Sequence, residues 1–568
     1  MTIMLNRLLL ATLLCLLAGC TTFHTEAPRL TKQNGSQLKA TRYQAEVVAE
    51  DGTKIRMTVW QPALDLTKGE TAPLLIHAHG FGLSRMKRPL SLYGQLLPTG
   101  EAAVRAWRRG YWVISYDQRG HGASEGDIGL IRRDKEGRDV SRIIDWASRY
   151  LQLDYEDNDP VVGMIGESYG GGAQLMAATV DKRIDALVPV TTWYDLEHAL
   201  LPNRVPKTDW ILVLAAAGYT MNPTHMSMNV STGMMKEMFA KGDPYLRRQL
   251  RENSLVNQCG KDGAPYADAL LLQGFRDVLF SFDQAEATRK CFLDAGRDVR
   301  LIGIQDGHLN PSSQWSPGMP VWHMQNNVTC NGQSLKTDDI IDHWLDGKLR
   351  YDAAALAQVP TYCVTGDTAT DALAAAGNTE LHWQTLPATR MGSGMNGFFE
   401  LVLKPLDHVA NWFVPARLPA DWQQPRHGWL RPGRIPLMTT DNTRWVAGTP
   451  VIRVNLQNAN KPGNVVFLRM AKWRPGSGSY EVLHQQVMPV RAGRGAQEVR
   501  LPAIRTQLQP GEVLGLLVQG YSNQFRMAGQ RFGTSATVAG TIGLPDTAVT
   551  TRNVAAQGAP GDQTPSLP

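Results

Sequence analysis

Apolar and polar residues alternate differently in successive parts of the chain. The segments YQAEVVAE and KIRMTVWQ alternate residue by residue on either side of Asp51-Gly52, which predicts a β-hairpin. Short apolar runs follow, separated by segments of helical periodicity, and this order predicts a parallel sheet covered by helices. The runs are APLLIHAHG, YWVISYDQRG, VVGMIGES, ALVPVTTW, ALLLQGF and VRLIGIQ, and the helical segments are GEAAVRAWRRG, DVSRIIDWASRYLQ, GGAQLMAATV and SFDQAEATRKCFLDAG.

A helical segment interrupts this alternation between Trp193 and about Ser254. Because it lies between two predicted strands, we expect an insertion at about residues 194–255 that projects over the carboxyl edge of the sheet as a lid. The insertion contains six methionines, and His225 is the one His or Cys residue near them. This favours a role of the methionines in helix packing over a soft-metal site. The methionines are Met221, Met226, Met228, Met234, Met235 and Met238.

After the helical segment DDIIDHWLDGKLR the pattern changes again. Residues 351–545 contain strand-like runs separated by Gly, Pro and Asn turns, which predicts an antiparallel, jelly-roll-like β-sandwich. Residues 546–568 are polar and aperiodic, and we expect a disordered tail there. The runs are FFELVLKPL, PVIRVNLQ, NVVFLRMAKW, EVLHQQVMPV, QEVRLPA and EVLGLLVQG.

The N-terminal residues 1–20 have the form of a secretory signal, with an apolar run too short to span a bilayer. The run ends in LAGC, which resembles the bacterial lipobox and predicts acylation of Cys20; the alternative is a plain signal peptide with an incidental Cys. In such lipoproteins an Asp directly after the acylated Cys retains the protein at the inner membrane, but this chain has Thr21 at that position. We therefore expect a cell-envelope lipoprotein, anchored in the outer membrane and facing the periplasm, with a tether at 21–42 before an α/β domain at 43–350.

Charge and cysteine content narrow the possible partners. The 58 basic and 52 acidic residues are interspersed and give a net charge of +6, so nucleic acid is not an expected partner. The four cysteines beyond the lipobox permit two disulfides in three connectivities, of which nearest-neighbour pairing is the simplest. No metal-binding spacing and no nucleotide-binding fingerprint occurs, so neither metal nor cofactor is expected. The cysteines are Cys259, Cys291, Cys330 and Cys363.

The segment GESYG, residues 166–170, fits the pattern G-x-S-x-G. An apolar run precedes it and a helix-forming run follows, which is the context of a nucleophile elbow. Its glycines permit a sharp turn from strand to helix that lifts the Ser168 hydroxyl above the edge of the sheet. The sequence therefore predicts Ser168 as a nucleophile.

A serine hydroxyl needs a base, and the base needs a carboxylate to orient it. On a doubly wound sheet these partners follow later strands in the order Ser, acid, His, which points to Asp277 and His308. Asp283, Asp306 and Asp268 are the alternative acids: the first falls inside a predicted helix, the second lies too close to the His, and the third lies at the wrong end of its strand.

Two backbone N–H groups are candidates for holding the negative oxygen of a tetrahedral intermediate. One belongs to Tyr169, at the start of the predicted helix, and the other to Phe81, in the segment HGFG that follows a strand. His77 precedes that segment and His79 begins it, and without a third ligand a metal site there is not favoured.

These segments together resemble the α/β-hydrolases, and more narrowly the X-Pro dipeptidyl-peptidase and cocaine-esterase family of acyl hydrolases. The resemblance rests on GESYGGGAQLMAA, on DQRGHGASEG at 117–126, on the helical insertion and on the all-β C-terminal region. Relatives similar to cocaine esterase place a Tyr hydroxyl in the oxyanion hole, whereas the loop here reads HGFG. The second donor is therefore expected to be a backbone N–H.

The resemblance implies a serine hydrolase that cleaves a small ester, amide or peptide, either as an esterase or acylase or by releasing X-Pro dipeptides. Release of dipeptides requires a carboxylate for the substrate amine, and the insertion offers Asp195, Glu197, Asp209 and Glu237. Trp193 and Tyr194 are candidate pocket walls. The alternative is a non-catalytic surface lipoprotein that binds glycan or protein through the β-sandwich, but the complete set of nucleophile, acid and base argues against it.

Overall fold

The structure is a computed structural model. The predicted signal peptide with Cys20, most of the tether, the run at 398–406 and the tail at 546–568 lie outside the residues that it describes. The described residues are 23–25, 37–89, 98–221, 225–239, 241–305, 307–308, 327–330, 332–365, 372–373, 380–393, 433–459, 463–478, 480–520, 522–525 and 534–545.

Strands and helices alternate through the first two thirds of the chain. The strands are β1 (Gln37–Leu38), β2 (Thr41–Val48), β3 (Lys54–Gln61), β4 (Leu64–Asp65), β5 (Leu74–Ala78), β6 (Trp112–Tyr116), β7 (Tyr155–Glu156), β8 (Asp159–Pro160), β9 (Val162–Glu167), β10 (Ala186–Val190), β11 (Asp268–Gly274), β12 (Val299–Ile304), β13 (Asn327–Cys330), β14 (Gln333–Lys336), β15 (Tyr362–Thr365) and β16 (Ala372–Leu373). The helices are α1 (Pro98–Arg108), α2 (Glu136–Tyr150), α3 (Tyr169–Ala177), α4 (Leu196–Leu200), α5 (Thr208–Met221), α6 (Met228–Met238), α7 (Pro244–Glu252), α8 (Phe282–Asp294), α9 (Thr337–Leu349) and α10 (Ala353–Ala357).

A large mixed sheet has the order β16-β15-β12-β11-β10-β9-β5-β6-β3-β2. The strands from β6 to β15 in this order run parallel, while β2, β3 and β16 pair antiparallel with their neighbours. Alternate residues of a strand point to opposite faces of the sheet. The central strands are apolar on both faces, and helices cover both. Leu74 and Ile76 belong to one buried apolar cluster and Leu75 to a second.

Two boundaries differ from the sequence predictions. The sequence pattern places β15 in the β-sandwich, which it predicts to begin at 351, but β15 pairs with β12 and extends the large sheet. The predicted tether at 21–42 includes β1, which pairs with β4, and the first residues of β2. In addition, Glu46 donates its backbone N–H to the carbonyl of His24 at 2.9 Å. Strand β2 joins the large sheet, whereas β1 and β4 form a separate two-stranded sheet, and local periodicity does not reveal these backbone partners.

The segment between β10 and β11 contains helices α4 to α7, as its helical pattern predicts. Leu246 and Leu250 of α7 are buried against the core of the large sheet. Among the described residues, no helix is long and apolar enough to cross a membrane.

The described residues of the C-terminal part form the strands β17 (Leu381–Ser393), β18 (Gly433–Thr439), β19 (Arg444–Gly448), β20 (Val451–Gln457), β21 (Val465–Trp473), β22 (Glu481–Val482), β23 (Met488–Arg491), β24 (Gln497–Arg500), β25 (Ile504–Leu508), β26 (Val513–Gln519) and β27 (Thr534–Pro545). These strands make up three antiparallel sheets with the orders β17-β27-β20-β24, β18-β26-β21-β22 and β19-β25, and β23 pairs with β21 in the second. Ile452, Leu468 and Leu516 lie in one buried cluster to which the two larger sheets contribute. We call residues 381–545 the β-domain.

One predicted strand of the β-domain, EVLHQQVMPV, is divided in two. Its ends form β22 and β23, but Leu483–Gln485 between them form a short 3₁₀ turn. His484 and Gln485 have positive φ values of 52° and 58°, which are incompatible with a continuous strand.

Candidate active site

Ser168 lies at a sharp turn where β9 ends and α3 begins. Its backbone has φ 52° and ψ −113°, a conformation that non-glycine residues rarely adopt. A Cβ added at Gly170 or Gly166 would overlap the carbonyl oxygen of Ala78 on the neighbouring strand. Glycine is therefore required at both positions, and the tight turn leaves the Ser168 side chain at the carboxyl edge of the sheet.

His308 and Asp277 lie within hydrogen-bond reach of this serine. His308 Nε2 is 3.0 Å from Ser168 Oγ, and His308 Nδ1 is 2.8 Å from Asp277 Oδ2. An ionised carboxylate only accepts hydrogen bonds, so Nδ1 carries a proton and Nε2 is free to accept the serine proton. The three residues therefore have the geometry of a nucleophile, a base and an orienting acid.

The carboxylate of Asp277 is fixed by its own loop. Its side chain is fully buried, and Oδ1 accepts the backbone N–H groups of Leu279 at 2.9 Å and Phe280 at 2.8 Å. Bonds of this kind orient the carboxylate and compensate for its loss of water. Oδ2 is thereby directed at His308.

The structure places the alternative acids elsewhere. Asp268 accepts the side chain of Lys348 at 2.7 Å, and Asp283 accepts the hydroxyl of Thr449 at 2.7 Å in the β-domain. Asp306 lies outside the described residues.

Tyr169 and Phe81 lie beside each other next to the turn, with ring centroids 5.4 Å apart. Tyr169 is the first residue of α3, where backbone N–H groups lack helical partners and the helix dipole favours an anion. In the loop after β5, the N–H of Gly80 donates to Glu167 Oε1 at 2.9 Å, so the following N–H, that of Phe81, is the candidate donor. The ring contact places both residues beside the turn, and their N–H groups stay the candidates that the sequence predicts for the oxyanion roles.

Aromatic rings surround the candidate base. Trp210 and Phe280 approach the His308 ring nearly perpendicularly, with centroids at 5.3 Å and 5.1 Å. Trp193 contacts Phe280 at 5.2 Å and is buried, as a pocket wall or core residue would be. Tyr194 is half-buried, and its backbone N–H donates to Gln284 at 2.9 Å. The aromatic surroundings limit the access of water to the imidazole.

We call residues 79–82, the loop after β5, the oxyanion loop. His77, which precedes this loop, and His79, its first residue, have hydrogen-bond partners within the protein. His79 Nδ1 lies 2.8 Å from the Gly80 carbonyl, and Nε2 accepts the N–H of Gln118 at 3.1 Å. Burial lowers the pKa of both His77 and His79 to about 3, so both are neutral. Among the described residues, no group of three or more His, Cys, Asp and Glu side chains is arranged to hold a metal ion.

The segment DQRGHGASEG joins loops beneath the site. The Asp117 carboxylate pairs with the buried Arg85 guanidinium and accepts the N–H of Ala123 at 2.8 Å. Arg119 bridges Asp139 and Asp51, each at 2.6 Å. These contacts give the segment a structural role.

The cysteines form two disulfides, Cys259–Cys291 and Cys330–Cys363, which is the pairing of neighbours along the chain. The first bond joins the segment before β11 to α8, and the second joins β13 to β15. Each bond closes a loop of about 30 residues beside the large sheet and restricts the unfolded chain.

Glu167 is a buried carboxylate next to the nucleophile that the motif does not indicate. Oε1 accepts the Gly80 N–H, and Oε2 accepts the Thr99 hydroxyl. Thr99 Oγ1 lies 3.4 Å from His77 Nε2, and His77 Nδ1 lies 3.0 Å from the Ser115 hydroxyl. Glu167 therefore holds the start of the oxyanion loop and ends a buried polar chain behind Ser168.

Burial raises the pKa of Glu167 to about 7, above its value of about 4.3 in an unfolded chain. Between these pH values the folded protein holds more protons, so this group makes the free energy of unfolding fall as pH rises from about 5 to 7. In Glu167→Gln we expect that fall to be smaller by roughly 1–3 kcal/mol, because an amide does not ionise. Urea unfolding at pH 5 and pH 8 measures the difference.

Glu136→Gln is a matched control, because burial raises the pKa of Glu136 to about 7 as well. Glu136 Oε2 accepts the N–H of Arg132, in the segment just before α2, at 2.8 Å. Its variant should lose a similar pH dependence and keep its activity. If Glu167→Gln unfolded with the same pH dependence as the wild type, the ionisation assigned to Glu167 would be wrong.

The chain is similar to known proteins both in sequence and in structure. The profile of the X-Pro dipeptidyl-peptidase (S15 family) matches residues 51–410. An uncharacterized 31.7 kDa protein of Escherichia coli, from the traX-finO intergenic region, is 29% identical over 123 residues, which are 22% of this chain and 38% of that protein. The chain thus spans well under half the length of that curated relative.

Similar solved structures cover nearly the whole chain. An aminopeptidase from a marine-sediment Thaumarchaeota archaeon has a TM-score of 0.57 at 14% identity, covering 89% of this chain and 96% of its own. A CocE/NonD family hydrolase from Staphylococcus aureus has a TM-score of 0.56 at 12% identity, covering 90% and 93%. An α-amino acid ester hydrolase has a TM-score of 0.55 at 14% identity, covering 91% and 100%. At these identities the likeness concerns the fold.

Proposed function

The chain belongs to the X-Pro dipeptidyl-peptidase (S15) family, and we propose that it is a serine hydrolase that cleaves esters or amides through an acyl-enzyme. The observation that carries the proposal is the continuous hydrogen-bonded chain from Ser168 Oγ through His308 to Asp277, with distances of 3.0 and 2.8 Å. A partly exposed hydroxyl activated in this way attacks carbonyl carbon.

In the first half of the reaction, Ser168 Oγ forms a bond to the carbonyl carbon while His308 Nε2 takes its proton. The carbonyl electron pair moves to oxygen, and the Tyr169 and Phe81 N–H groups donate to that oxygen. Each such donor contributes roughly 10²- to 10³-fold in rate. As the intermediate collapses, His308 Nε2–H protonates the leaving alcohol or amine.

In the second half, water attacks the acyl carbon and His308 Nε2 takes a proton from the water. Collapse of the second intermediate returns that proton to Ser168 Oγ and releases the acid. Asp277 keeps the imidazole in one tautomer and stabilises the imidazolium in both halves without itself becoming protonated.

The helices between β10 and β11 are proposed as the lid of this site. Support comes from Trp210 of α5, whose ring packs against His308. A wall of this kind excludes water and strengthens the electrostatic interactions inside the site. An aromatic wall also suits an apolar acyl group.

We propose an uncharged acyl ester or amide as the substrate, because three of the four lid carboxylates are engaged in contacts of their own. A dipeptidyl-peptidase needs a carboxylate that pairs with the substrate amine, and an engaged carboxylate would first have to give up its partner. The contacts are Asp195 with the His198 N–H at 3.0 Å, Glu197 with Arg251 at 2.9 Å and Glu237 with Arg247 at 2.6 Å.

Two anilides that differ only at the amine test this proposal: Ala-Pro anilide and its N-acetyl form, measured beside short acyl esters. We expect turnover of the esters. N-acetylation should change kcat/KM for the anilide by less than about threefold, because an ion pair between the substrate amine and a protein carboxylate would contribute a larger factor. Asp209→Asn, which alters the fourth lid carboxylate, should leave the comparison unchanged. A loss of 100-fold or more on acetylation would establish amine recognition and contradict the proposed substrate class.

A further inference from the structure

The loop that carries Asp277 connects β11 to α8 and is held by side chains from distant parts of the chain. The Asp277 carboxylate accepts the N–H groups of Leu279 and Phe280 in its own loop. These N–H groups are therefore not available to the backbone carbonyls of the loop, which need donors from elsewhere. We call residues 275–280 the acid loop. The carbonyl of Phe280 accepts the side-chain amide of Gln273 in β11 at 2.8 Å, and four other carbonyls of the loop have partners from the helical insertion and from the β-domain.

Gln486 of the β-domain binds two of these carbonyls. Its Nε2 donates to the carbonyl of Phe275 and to that of Asp277 itself, both at 2.8 Å. The side chain is 7% exposed, so both bonds are shielded from water. Without the amide, two buried carbonyls would lose this hydrogen-bond partner, which is unfavourable in the absence of water.

The backbone before Gln486 adopts a conformation that points to a specific role. His484 and Gln485 both have positive φ values, 52° and 58°, in the region that favours glycine. Such a backbone conformation is unfavourable for residues other than glycine and persists where surrounding contacts compensate for it. His484 Nε2 accepts the Arg505 N–H at 3.0 Å, and its ring packs on Phe275 at 4.8 Å. This turn breaks the edge strand and brings Gln486 to the acid loop.

Lys207 binds the other side of the acid loop. Its Nζ donates to the carbonyls of Val278 at 2.8 Å and Leu279 at 2.9 Å. Lys207 immediately precedes α5, and burial lowers its pKa to about 8. The acid loop is therefore held between the insertion on one side and the β-domain on the other.

We propose that Gln486 is a positioning residue for Asp277, through which the β-domain completes the active site of the hydrolase. This inference rests on the proposed serine-hydrolase function. Gln486 touches no reacting atom; it fixes the backbone from which the Asp277 carboxylate reaches His308. A displacement of this loop by a fraction of an ångström would misdirect the imidazole and lower kcat while leaving the acyl pocket in place.

The test is a double-mutant cycle between Gln486→Met and Asp277→Asn in the full chain. Methionine has a similar length and no N–H. We expect Gln486→Met to lower kcat for a short acyl ester about tenfold, with KM within about twofold, per active site titrated with a fluorophosphonate. In the Asp277→Asn background the same substitution should lower kcat less than about twofold, because the group through which it acts is already lost.

Two controls separate this role from general loosening. Gln497→Met makes the same change in the β-domain, where Gln497 Nε2 donates to the carbonyl of Arg491 at 2.9 Å. Thr449→Val removes the hydroxyl bond to Asp283, which joins the β-domain to α8 outside the acid loop. Both variants should keep the wild-type kcat per titrated site.

The inference would be overturned if Gln486→Met lowered kcat by the same factor in the wild-type and Asp277→Asn backgrounds. An unchanged kcat per titrated site in Gln486→Met would overturn it as well. If Gln486→Met does not fold, Gln486→Glu has the same size and lacks the N–H, and its kcat should fall at least as far. Absence of ester turnover by the wild-type protein would instead contradict the proposed function, so the two failures are distinguishable.

Discussion

Replacing Ser168 with alanine is expected to lower kcat for an acyl ester by about 10⁶-fold, because no other group can form the acyl-enzyme. The hydroxyl is the atom to which His308 Nε2 is aligned at 3.0 Å. Folding should be preserved, since alanine fits the turn at least as well as serine. Steady-state turnover and a thermal unfolding curve of the same preparation measure both quantities.

Ser148→Ala is the matched control for this variant. Ser148 lies in α2, and its hydroxyl has no hydrogen-bond partner among the described residues. Its kcat should equal that of the wild type. If Ser168→Ala retained one per cent or more of wild-type turnover, Ser168 would not be the nucleophile.

Asp277→Asn is expected to lower kcat by about 10⁴-fold with little change in KM. The amide oxygen can still accept the Leu279 and Phe280 N–H groups, but the amide nitrogen would then face His308 Nδ1. A donor at this position favours the tautomer with the proton on Nε2, which cannot accept the proton of Ser168. Turnover measured from pH 6 to pH 9 shows whether the loss persists across the range.

Asp283→Asn is the control for the acid assignment. Asp283 is the other carboxylate close to the acid loop in sequence, and it binds Thr449 and the backbone N–H of Ala503 at 2.7 and 2.9 Å. We expect lower thermal stability for this variant and kcat within a few-fold of wild type. A large loss of kcat in Asp283→Asn combined with normal turnover by Asp277→Asn would reverse the assignment of the acid.

The features of this site that could be predicted from the sequence are those with local signals. The elbow around Ser168 needs glycines at defined positions, and its context is a buried strand followed by a helix. Asp277 and His308 each follow an apolar run that reads as a strand, so the topology of a parallel sheet brings them to the same edge.

The remaining features depend on contacts between distant segments. Glu167 is inside the motif, but its role depends on Gly80 and Thr99, which approach only in the folded sheet. Gln486 lies 209 residues beyond Asp277, in a segment whose apolar alternation reads as one strand. The left-handed turn that breaks this strand contains no glycine, so the sequence has no signal for it.

Strand β15 shows the same limitation in the fold. Its four residues, YCVT, follow a helical stretch and precede β-rich sequence, so the local pattern assigns them to the β-domain. Their pairing with β12 places them in the large sheet instead, and the bond from Cys363 to Cys330 ties them to β13. Short strands are assigned by their partners more than by their own sequence.

The most direct test of the proposed activity is to label the purified wild-type chain with a fluorophosphonate and map the adduct by peptide mass spectrometry. The arrangement of Ser168, His308 and Asp277 predicts one adduct on the Ser168 side chain and a much slower reaction in His308→Ala, which lacks the base. Absence of labelling under conditions that label a control hydrolase, or an adduct on another residue, would contradict the assignment of Ser168 as the nucleophile of a serine hydrolase.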